Sequence, residues 1–252
     1  MKQFKKDEMD VKIYDTRAEM GAGAAADIAA AIHGLLAEKD EINMIFAAAP
    51  SQNDVLAALV ADKSIPWDRI NAYHMDEYVG IRPDAPQGFA LFLKRALFDL
   101  VPFRSVNLLD CTAEPDGEAE RYGALLRANP VDIVCMGIGE NGHIAFNDPH
   151  VADFNDPKTV KKVDLDNVCR MQQVHDGCFA SLDEVPLYAL TLTVPTLAAA
   201  KYHFCVVPAA TKAQAVRRTV NEAIGAACPA TILRQLPGSI LYCDSDSAAL
   251  LD

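Results

Sequence analysis

The sequence lacks the features that mark membrane, secreted and nucleic-acid-binding proteins. It has no apolar run long enough to cross a bilayer, and its charged first residues do not resemble a signal peptide. A net charge of −12 argues against nucleic acid or a membrane surface as the main partner, because both are polyanions. A small anionic metabolite is compatible with this charge, since one or two lysines or arginines can bind it.

Cysteine motifs are also missing. The 7 cysteines are odd in number, scattered along the chain and never spaced Cys-x-x-Cys. This pattern predicts free thiols in a reducing cytoplasm, with neither disulfides nor a zinc site. The sequence contains no other metal-ligand set and no nucleotide-binding fingerprint, so we expect neither a metal nor a cofactor.

What the sequence does contain is a regular alternation of strand-like and helix-like segments. Its 252 residues, 51% of them apolar, suffice for one large domain, which we assign to residues 1–252. Repeated β-α units predict an α/β fold with a parallel sheet and helices on both faces. The segment 167–183 has few apolar anchors, and we interpret it as an insertion over the crevice of that sheet. We predict strands over 42–48, 70–75, 106–109, 133–136, 159–165, 188–194, 202–207 and 239–242, and helices over 53–60, 89–100, 114–128 and 211–224, preceded by one that Asp15 or Thr16 caps and that extends to 36.

The stretch from 131 to 149, VDIVCMGIGENGHIAFNDP, is the most informative part of the chain. An apolar run suited to a buried strand ends in a glycine-rich loop that carries Glu140, Asn141 and His143, and Asp148 closes this loop. In open parallel sheets ligands bind at the carboxyl ends of the strands. The loop is therefore a candidate active site, although the glycine spacing alone is equally typical of an ordinary turn whose histidine acts as a cap.

Other strand and helix ends supply further candidates. Asp76 and Glu77 follow the strand over 70–75, and one of two adjacent side chains must point into the crevice if that strand is buried. The pair is a candidate general base, with solvated surface charge as the alternative. Ser51 and Lys212 lie at helix starts, where free backbone N–H groups suit an anion. A histidine with carboxylates and no metal suits ring opening, enolisation or hydrolysis of a small polar molecule.

Two long motifs carry a resemblance to a known family. The stretches YHMDEYVG at 73–80 and GIGENGHIAFNDP at 137–149 resemble the signature motifs of the glucosamine-6-phosphate deaminase (isomerase) family, which is related to 6-phosphogluconolactonase. PLYALT at 186–191, TKAQAV at 211–216 and ILYCD at 240–244 follow in the order of the family. The resemblance implies a modified doubly wound (Rossmann-like), mostly parallel sheet. It also implies the cofactor-free conversion of glucosamine 6-phosphate and water to fructose 6-phosphate and ammonia.

The resemblance implies roles for individual residues. Asp76 matches the carboxylate that moves a proton between C2 and C1, and His143 matches the histidine that helps to open the pyranose ring. Asp148 matches the acidic residue that orients this histidine, and Lys212 matches a lysine that contacts the phosphate. We take Asn141 as the fourth catalytic candidate. The candidate residues for binding the substrate and its phosphate are Ser51, Gln52, Glu77, Gly139, Arg170 and Lys212.

Four positions depart from the family pattern. Asn141 stands where the family usually has Asp, and Asp148 stands for the usual Glu. The glycine-rich phosphate loop of the family is AAAPSQ at 47–52 in this chain. The usual Asn-x-Arg-Phe segment, whose arginine binds phosphate, is not matched by the local QQVHDGCF at 172–179, and Arg170 is the candidate substitute. The exact sugar and the need for a phosphate therefore stay open.

Two alternatives to the deaminase also stay open. A 6-phosphogluconolactonase-type hydrolase normally has Asp-Glu-Arg and Gly-His-Thr-Ala-Ser, where this chain has DEY at 76–78 and GHIAF at 142–146. A non-catalytic sugar-phosphate binding protein would keep the fold and lose the chemistry. In each case we expect a small-molecule sugar phosphate as the ligand. A homo-oligomer is compatible with the sequence, since the family includes both monomers and hexamers.

Overall fold

Strands and helices alternate along the computed structural model, which describes residues 1–251. The strands are β1 (Lys2–Lys6), β2 (Met9–Ile13), β3 (Ile42–Phe46), β4 (Ile70–His74), β5 (Asp76–Tyr78), β6 (Ser105–Asn107), β7 (Ile133–Met136), β8 (Val160–Asp164), β9 (Tyr188–Leu192), β10 (Tyr202–Val207) and β11 (Ser239–Cys243). The α-helices are α1 (Arg17–Leu36), α2 (Asn53–Ala61), α3 (Phe89–Leu93), α4 (Pro115–Ala128), α5 (Asn167–His175), α6 (Val194–Ala198) and α7 (Ala213–Asn221).

An eight-stranded sheet in the order β1-β2-β11-β10-β7-β3-β4-β6 forms the centre of the molecule. All neighbours in it are parallel except β1 and β2, which form an antiparallel hairpin. Alternate residues of β7 face opposite sides, so Ile133 and Cys135 join one buried cluster while Val134 and Met136 join the other. The first cluster includes α1 and α2, and the second includes α4 and α7. The predicted α/β fold, mostly parallel with helices on both faces, is confirmed.

Local signals fix where several of these helices begin. The side chain of Thr16 accepts a hydrogen bond from the backbone of Glu19, whose carboxylate accepts one from the backbone of Thr16, so a capping box starts α1. Glu114 accepts backbone hydrogen bonds from Asp116 and Gly117 and thereby caps α4, whose first residue is Pro115. These starts agree with the sequence prediction.

A second sheet was not predicted. The strands β5, β9 and β8 pair in that order into an antiparallel sheet of three strands. The chain leaves the main sheet after His74 and enters the small sheet at Asp76, with Met75 between them. Periodicity identifies the strands over 159–165 and 188–194, but it carries no information about which strand pairs with which.

Other differences concern short or polar elements. The hairpin of β1 and β2 was missed, because β1 is a solvent-exposed edge strand with the sequence KQFKK and has no apolar alternation. The segment 167–183 contains the helix α5, whose buried face carries Cys169, Gln172 and Gln173. The helix predicted over 89–100 is divided into α3 and a π-helical turn at Lys94–Phe98. The last predicted helix ends at Asn221 rather than 224. Among residues 1–251, no helix combines the length and the apolar character that crossing a membrane requires.

Candidate active site

The carboxyl ends of four neighbouring strands surround a cavity of about 130 Å³. The segments that follow these strands line it, namely 47–52 after β3, 75–76 after β4, 137–139 after β7 and 208–209 after β10. Gln172 and Gln173 of α5 also contribute to the wall. The cavity therefore lies at the edge of the sheet where ligands bind in open parallel folds.

His143 enters the cavity on the loop after β7. Its Nδ1 lies 2.9 Å from Oδ1 of Asp148, without the alignment of a hydrogen bond. Its Nε2 makes neither a hydrogen bond nor an ion pair within residues 1–251. Asp148 is fully buried. Burial by itself would raise the pKa of Asp148, but His143 and the amide of Asn141 hold that pKa below its ordinary value. A charged carboxylate thus stands behind the imidazole, where it can orient the ring and stabilise its protonated form.

Asn141 links the backbone of this loop to the carboxylates behind it. Its side-chain oxygen accepts a hydrogen bond from the backbone N–H of His143 at 3.0 Å. Its Nδ2 donates to Asp148 at 2.8 Å and to Asp166 at 3.3 Å. An amide can make all three contacts because it is both a donor and an acceptor, whereas an ionised carboxylate cannot donate. Asn141 therefore fits its surroundings as a positioning residue.

Gly139 is required by the position of the histidine. A Cβ at residue 139 would lie 2.1 Å from Cε1 and 2.2 Å from Nε2 of His143, closer than any real contact. The imidazole ring therefore packs directly on the backbone of Gly139. The same loop is closed by a hydrogen bond from the N–H of Gly139 to the carbonyl of His143 at 2.9 Å.

Asp76 occupies the first position of β5, directly opposite Thr191 in β9. Its side chain lines the cavity, is only 7% exposed and makes no hydrogen bond or ion pair within residues 1–251. Burial, reinforced by the charge of Glu77, raises the pKa of Asp76 well above its ordinary value. The hydroxyl of Thr191 accepts a hydrogen bond from the N–H of Phe146 at 3.0 Å, which ties the loop of His143 to the small sheet.

Glu77 does not line the cavity, which corrects its assignment as a substrate-binding residue. Its carboxylate accepts hydrogen bonds from the backbone N–H groups of Tyr78, Phe89 and Ala90 at 2.8 to 3.1 Å. Burial nevertheless raises the pKa of Glu77, although these hydrogen bonds act against the shift. Because neighbouring side chains in a strand face opposite sides, Asp76 points into the cavity and Glu77 points away to anchor the start of α3.

Ser51, Gln52 and Lys212 also line the cavity, and they lie at two helix starts. The amide Nε2 of Gln52 donates to the carbonyl of Val206 at 3.1 Å, so this side chain also ties the loop to β10. Lys212 is 5% exposed, and its ammonium group makes no ion pair within residues 1–251. Burial lowers the pKa of Lys212, while the negative charges of Asp176 and Glu140 act in the opposite direction.

Arg170 does not reach the cavity, so it is not the substitute for the missing phosphate-binding arginine. It lies on α5, but its guanidinium donates to the carbonyls of Leu182 at 2.6 Å and Val185 at 3.1 Å. The side chain therefore fastens the polypeptide after α5 to that helix.

Several lining residues were not predicted. Arg17 stands at the first turn of α1 and donates to Asp54 at 2.5 Å and to the carbonyl of Pro50 at 2.6 Å, so it supports the loop before α2. Gln172 and Asp176 belong to the segment interpreted as an insertion over the crevice, and both line the cavity. The sequence carries no signal that places them, because the segment has too few apolar residues to indicate which face of its helix is buried.

In the described part of the chain, two overlapping groups of side chains, which share Asp148, have ligand atoms near enough to hold a metal ion, and one of them includes His143 of the cavity. The ligand atoms of His143, Asp148 and Cys169 lie within 4.8 Å of one another. Burial raises the pKa of the Cys169 thiol well above its ordinary value, helped by the charge of Asp148, so the thiolate that a metal requires is disfavoured. The donor set fits a metal poorly, and the expected independence from metals and cofactors stays a prediction.

Taken together, the geometry defines an α/β protein with an acid–base site at the carboxyl ends of a parallel sheet. The family model for glucosamine-6-phosphate isomerases and 6-phosphogluconolactonase matches residues 15–241, and the chain belongs to this family.

Several proteins of known name are similar to this chain in sequence or in structure. A protein of Exiguobacterium sibiricum named glucosamine-6-phosphate deaminase is 35% identical over 190 residues, which are 73% of each chain. A protein of Bacillus thuringiensis with the same name is 33% identical over 183 residues, 72% of this chain and 68% of the relative. A solved monomeric glucosamine-6-phosphate deaminase has a TM-score of 0.85 at 25% identity and covers 95% of this chain and 99% of its own. A 6-phosphogluconolactonase from Thermotoga maritima, with a TM-score of 0.75 at 20% identity over 93% of this chain and 99% of its own, shares the fold.

Proposed function

We propose that this protein is an enzyme that isomerises and deaminates an amino sugar phosphate, converting glucosamine 6-phosphate and water to fructose 6-phosphate and ammonia. The observation that carries the proposal is the arrangement of two groups in one cavity. Asp76 contributes a buried carboxyl without a partner, and His143 contributes an imidazole with a carboxylate behind it. The relatives at 33% and 35% identity are named for this activity.

Ring opening precedes isomerisation, because the C2 proton becomes acidic only when C1 is part of a carbonyl or iminium group. Opening requires a proton to leave the C1 hydroxyl and a proton to reach the ring oxygen. The accessible Nε2 of His143 can carry such a proton, and the nearby Asp148 carboxylate stabilises the charged ring that results. Asn141 and Gly139 hold the imidazole in position.

Proton transfer from C2 to C1 suits Asp76. A base that removes a proton from carbon must be stronger than an ordinary carboxylate, and it must keep that proton until C1 receives it. Burial and the charge of Glu77 raise the pKa of Asp76 and so favour both properties. Hydrolysis of a lactone needs no base of this kind, which favours the deaminase over the lactonase.

Lys212 and the helix starts around Ser51 supply the positive end of the cavity. A lysine provides a point charge for a phosphate, and free backbone N–H groups at a helix start add further donors. We also propose that the enzyme is cytoplasmic, which the 7 free cysteine thiols support.

The test is ammonia release by the purified protein from glucosamine 6-phosphate. Galactosamine 6-phosphate, free glucosamine and 6-phosphogluconolactone are supplied in parallel reactions. We expect ammonia and fructose 6-phosphate from the first substrate and no turnover of the lactone. The variant Asp76→Asn should slow ammonia release by about 10² to 10⁴-fold, whereas Asp183→Asn, which replaces an exposed aspartate in the same way, should leave it unchanged. Lactone hydrolysis without ammonia release would overturn the proposal.

A further inference from the structure

The charged groups that line the cavity differ in whether another residue pairs with them. Arg17 is held by Asp54 and by the carbonyl of Pro50. Lys212 and Asp176 both line the cavity, and neither makes an ion pair in the part of the chain that the structure describes. Apart from the proposed base Asp76, the cavity lining therefore contains one unpaired ammonium group, that of Lys212, and one unpaired carboxylate, that of Asp176.

Asp176 has no evident structural role that would account for a carboxylate at this position. It follows α5 as the C-cap residue, where the negative end of the helix dipole disfavours an acidic side chain. Its one side-chain hydrogen bond is a long contact of 3.4 Å from Nε2 of Gln172. Asp176 is half-buried, and its negative charge acts on Lys212 although the two groups form no ion pair.

The consequence concerns the charge of the ligand. A phosphate monoester carries a charge of about −1.5 to −2 at neutral pH. Lys212, which is buried, attracts such a group, and the carboxylate of Asp176 on the wall of the same cavity repels it. A hydroxyl group at the same position is not repelled, and it can donate a hydrogen bond to Asp176.

We propose that Asp176 is a specificity-determining residue that weakens the binding of the substrate phosphate, so that the enzyme discriminates less between phosphorylated and free amino sugars than Lys212 alone would allow. This inference rests on the proposed function for its substrates. It concerns ground-state binding, because Asp176 has no part in the proton transfers assigned to Asp76 and His143.

The test compares Asp176→Asn and Asp176→Ser with the parent protein, and uses Asp183→Asn as the control for an equal change of charge on an exposed residue. Steady-state kinetics are measured with glucosamine 6-phosphate and with glucosamine. Binding of inorganic phosphate is measured by titration calorimetry. Both Asp176 variants should lower KM for the phosphorylated sugar by roughly tenfold, which corresponds to about 1.4 kcal/mol. The rate kcat should change less than twofold, KM for glucosamine should not fall, and phosphate should bind correspondingly tighter.

The phosphate titration separates this inference from the proposed function. If the parent protein releases no ammonia from any amino sugar but phosphate binds tighter to both Asp176 variants, the proposed function fails and the role of Asp176 stands. If phosphate affinity is the same in the parent and both variants, or is undetectable in all three, the role of Asp176 is refuted whatever the activity. An equal effect of Asp183→Asn would also refute it, because the effect would then come from net charge.

Discussion

Replacing Gly139 by alanine tests whether catalysis depends on the position of the His143 imidazole ring. The new Cβ would lie 2.1 to 2.4 Å from three atoms of the His143 ring. Ordinary van der Waals contact begins at about 3.4 Å, so the ring must move by roughly 1 Å or more to relieve the overlap. Because the ring packs against Asp148 at 2.9 Å on another side, this movement also disturbs the pair.

The expected loss follows from the size of that movement. A displacement of about 1 Å in a reacting group can cost on the order of 10²-fold in rate. We expect Gly139→Ala to lower kcat for ammonia release from cyclic glucosamine 6-phosphate by about that factor. An analogue that is already an open chain bypasses ring opening, so the variant should process it with a smaller loss.

Gly34→Ala is the matched control. Gly34 is exposed on α1, and a Cβ there meets nothing within 4 Å. The substitution should leave kcat unchanged and raise the free energy of unfolding by up to about 1 kcal/mol, because alanine favours helix. A Gly139→Ala variant that is folded by circular dichroism and keeps kcat within twofold of the parent would show that catalysis does not depend on the position of the His143 ring.

Three further predictions concern the same region. Asp76→Asn should slow exchange of the C2 proton by about 10² to 10⁴-fold. It should also stabilise the protein at pH 7, because burial and the charge of Glu77 raise the pKa of Asp76 in the folded state, so that above about pH 4 ionisation of this residue favours the unfolded chain. In urea unfolding this gain in stability should vanish below about pH 4, and a gain independent of pH would contradict the prediction. Tyr122→Phe removes a buried hydroxyl that accepts a hydrogen bond from the N–H of His74 at 3.1 Å and donates one to the carbonyl of His74 at 3.0 Å. The free energy of unfolding should therefore fall by about 1–3 kcal/mol. A loss below about 0.5 kcal/mol in urea unfolding, which is the lower limit for a typical hydrogen bond, would be inconsistent with this role. N141D should destabilise the loop because it replaces an amide that donates to Asp148 and Asp166 by a carboxylate. The double variant N141D/D166N should recover part of the lost unfolding free energy, because the repulsion from Asp148 remains. No recovery would show that positions 141 and 166 are uncoupled.

How far the sequence predicts the site depends on what each residue must satisfy. Asp76, His143 and Lys212 follow strands or precede helices with clear signals, and the structure brings all three to one cavity. Arg170 is different, because its helix is predicted neither by apolar periodicity nor by a strong motif. The sequence does not reveal how α5 is oriented about its own axis, and only that orientation shows that Asp176 faces the cavity and Arg170 does not.

In the fold, too, elements with a clear local sequence signal were predicted and those that depend on distant segments were not. Strands with continuous apolar runs, such as β7, were located to within a residue or two, because burial on both faces imposes a composition. The small sheet was missed as a unit because pairing between β5 and β9 is a property of distant segments. It matters for the site, since the switch between sheets at Met75 is what places Asp76 opposite Thr191.

The position of β11 between β2 and β10 has a consequence for how the protein is made. Ile240 pairs with Asp10 on one side and with Phe204 on the other, so the strand that joins the first hairpin to the rest of the sheet leaves the ribosome long after that hairpin does. Until then β2 has no parallel neighbour, and the exposed edge of β10 is open to pairing with other chains. Folding is therefore expected to finish only after synthesis of residues 239–243, and chaperones that shield nascent strands should improve the yield of active enzyme.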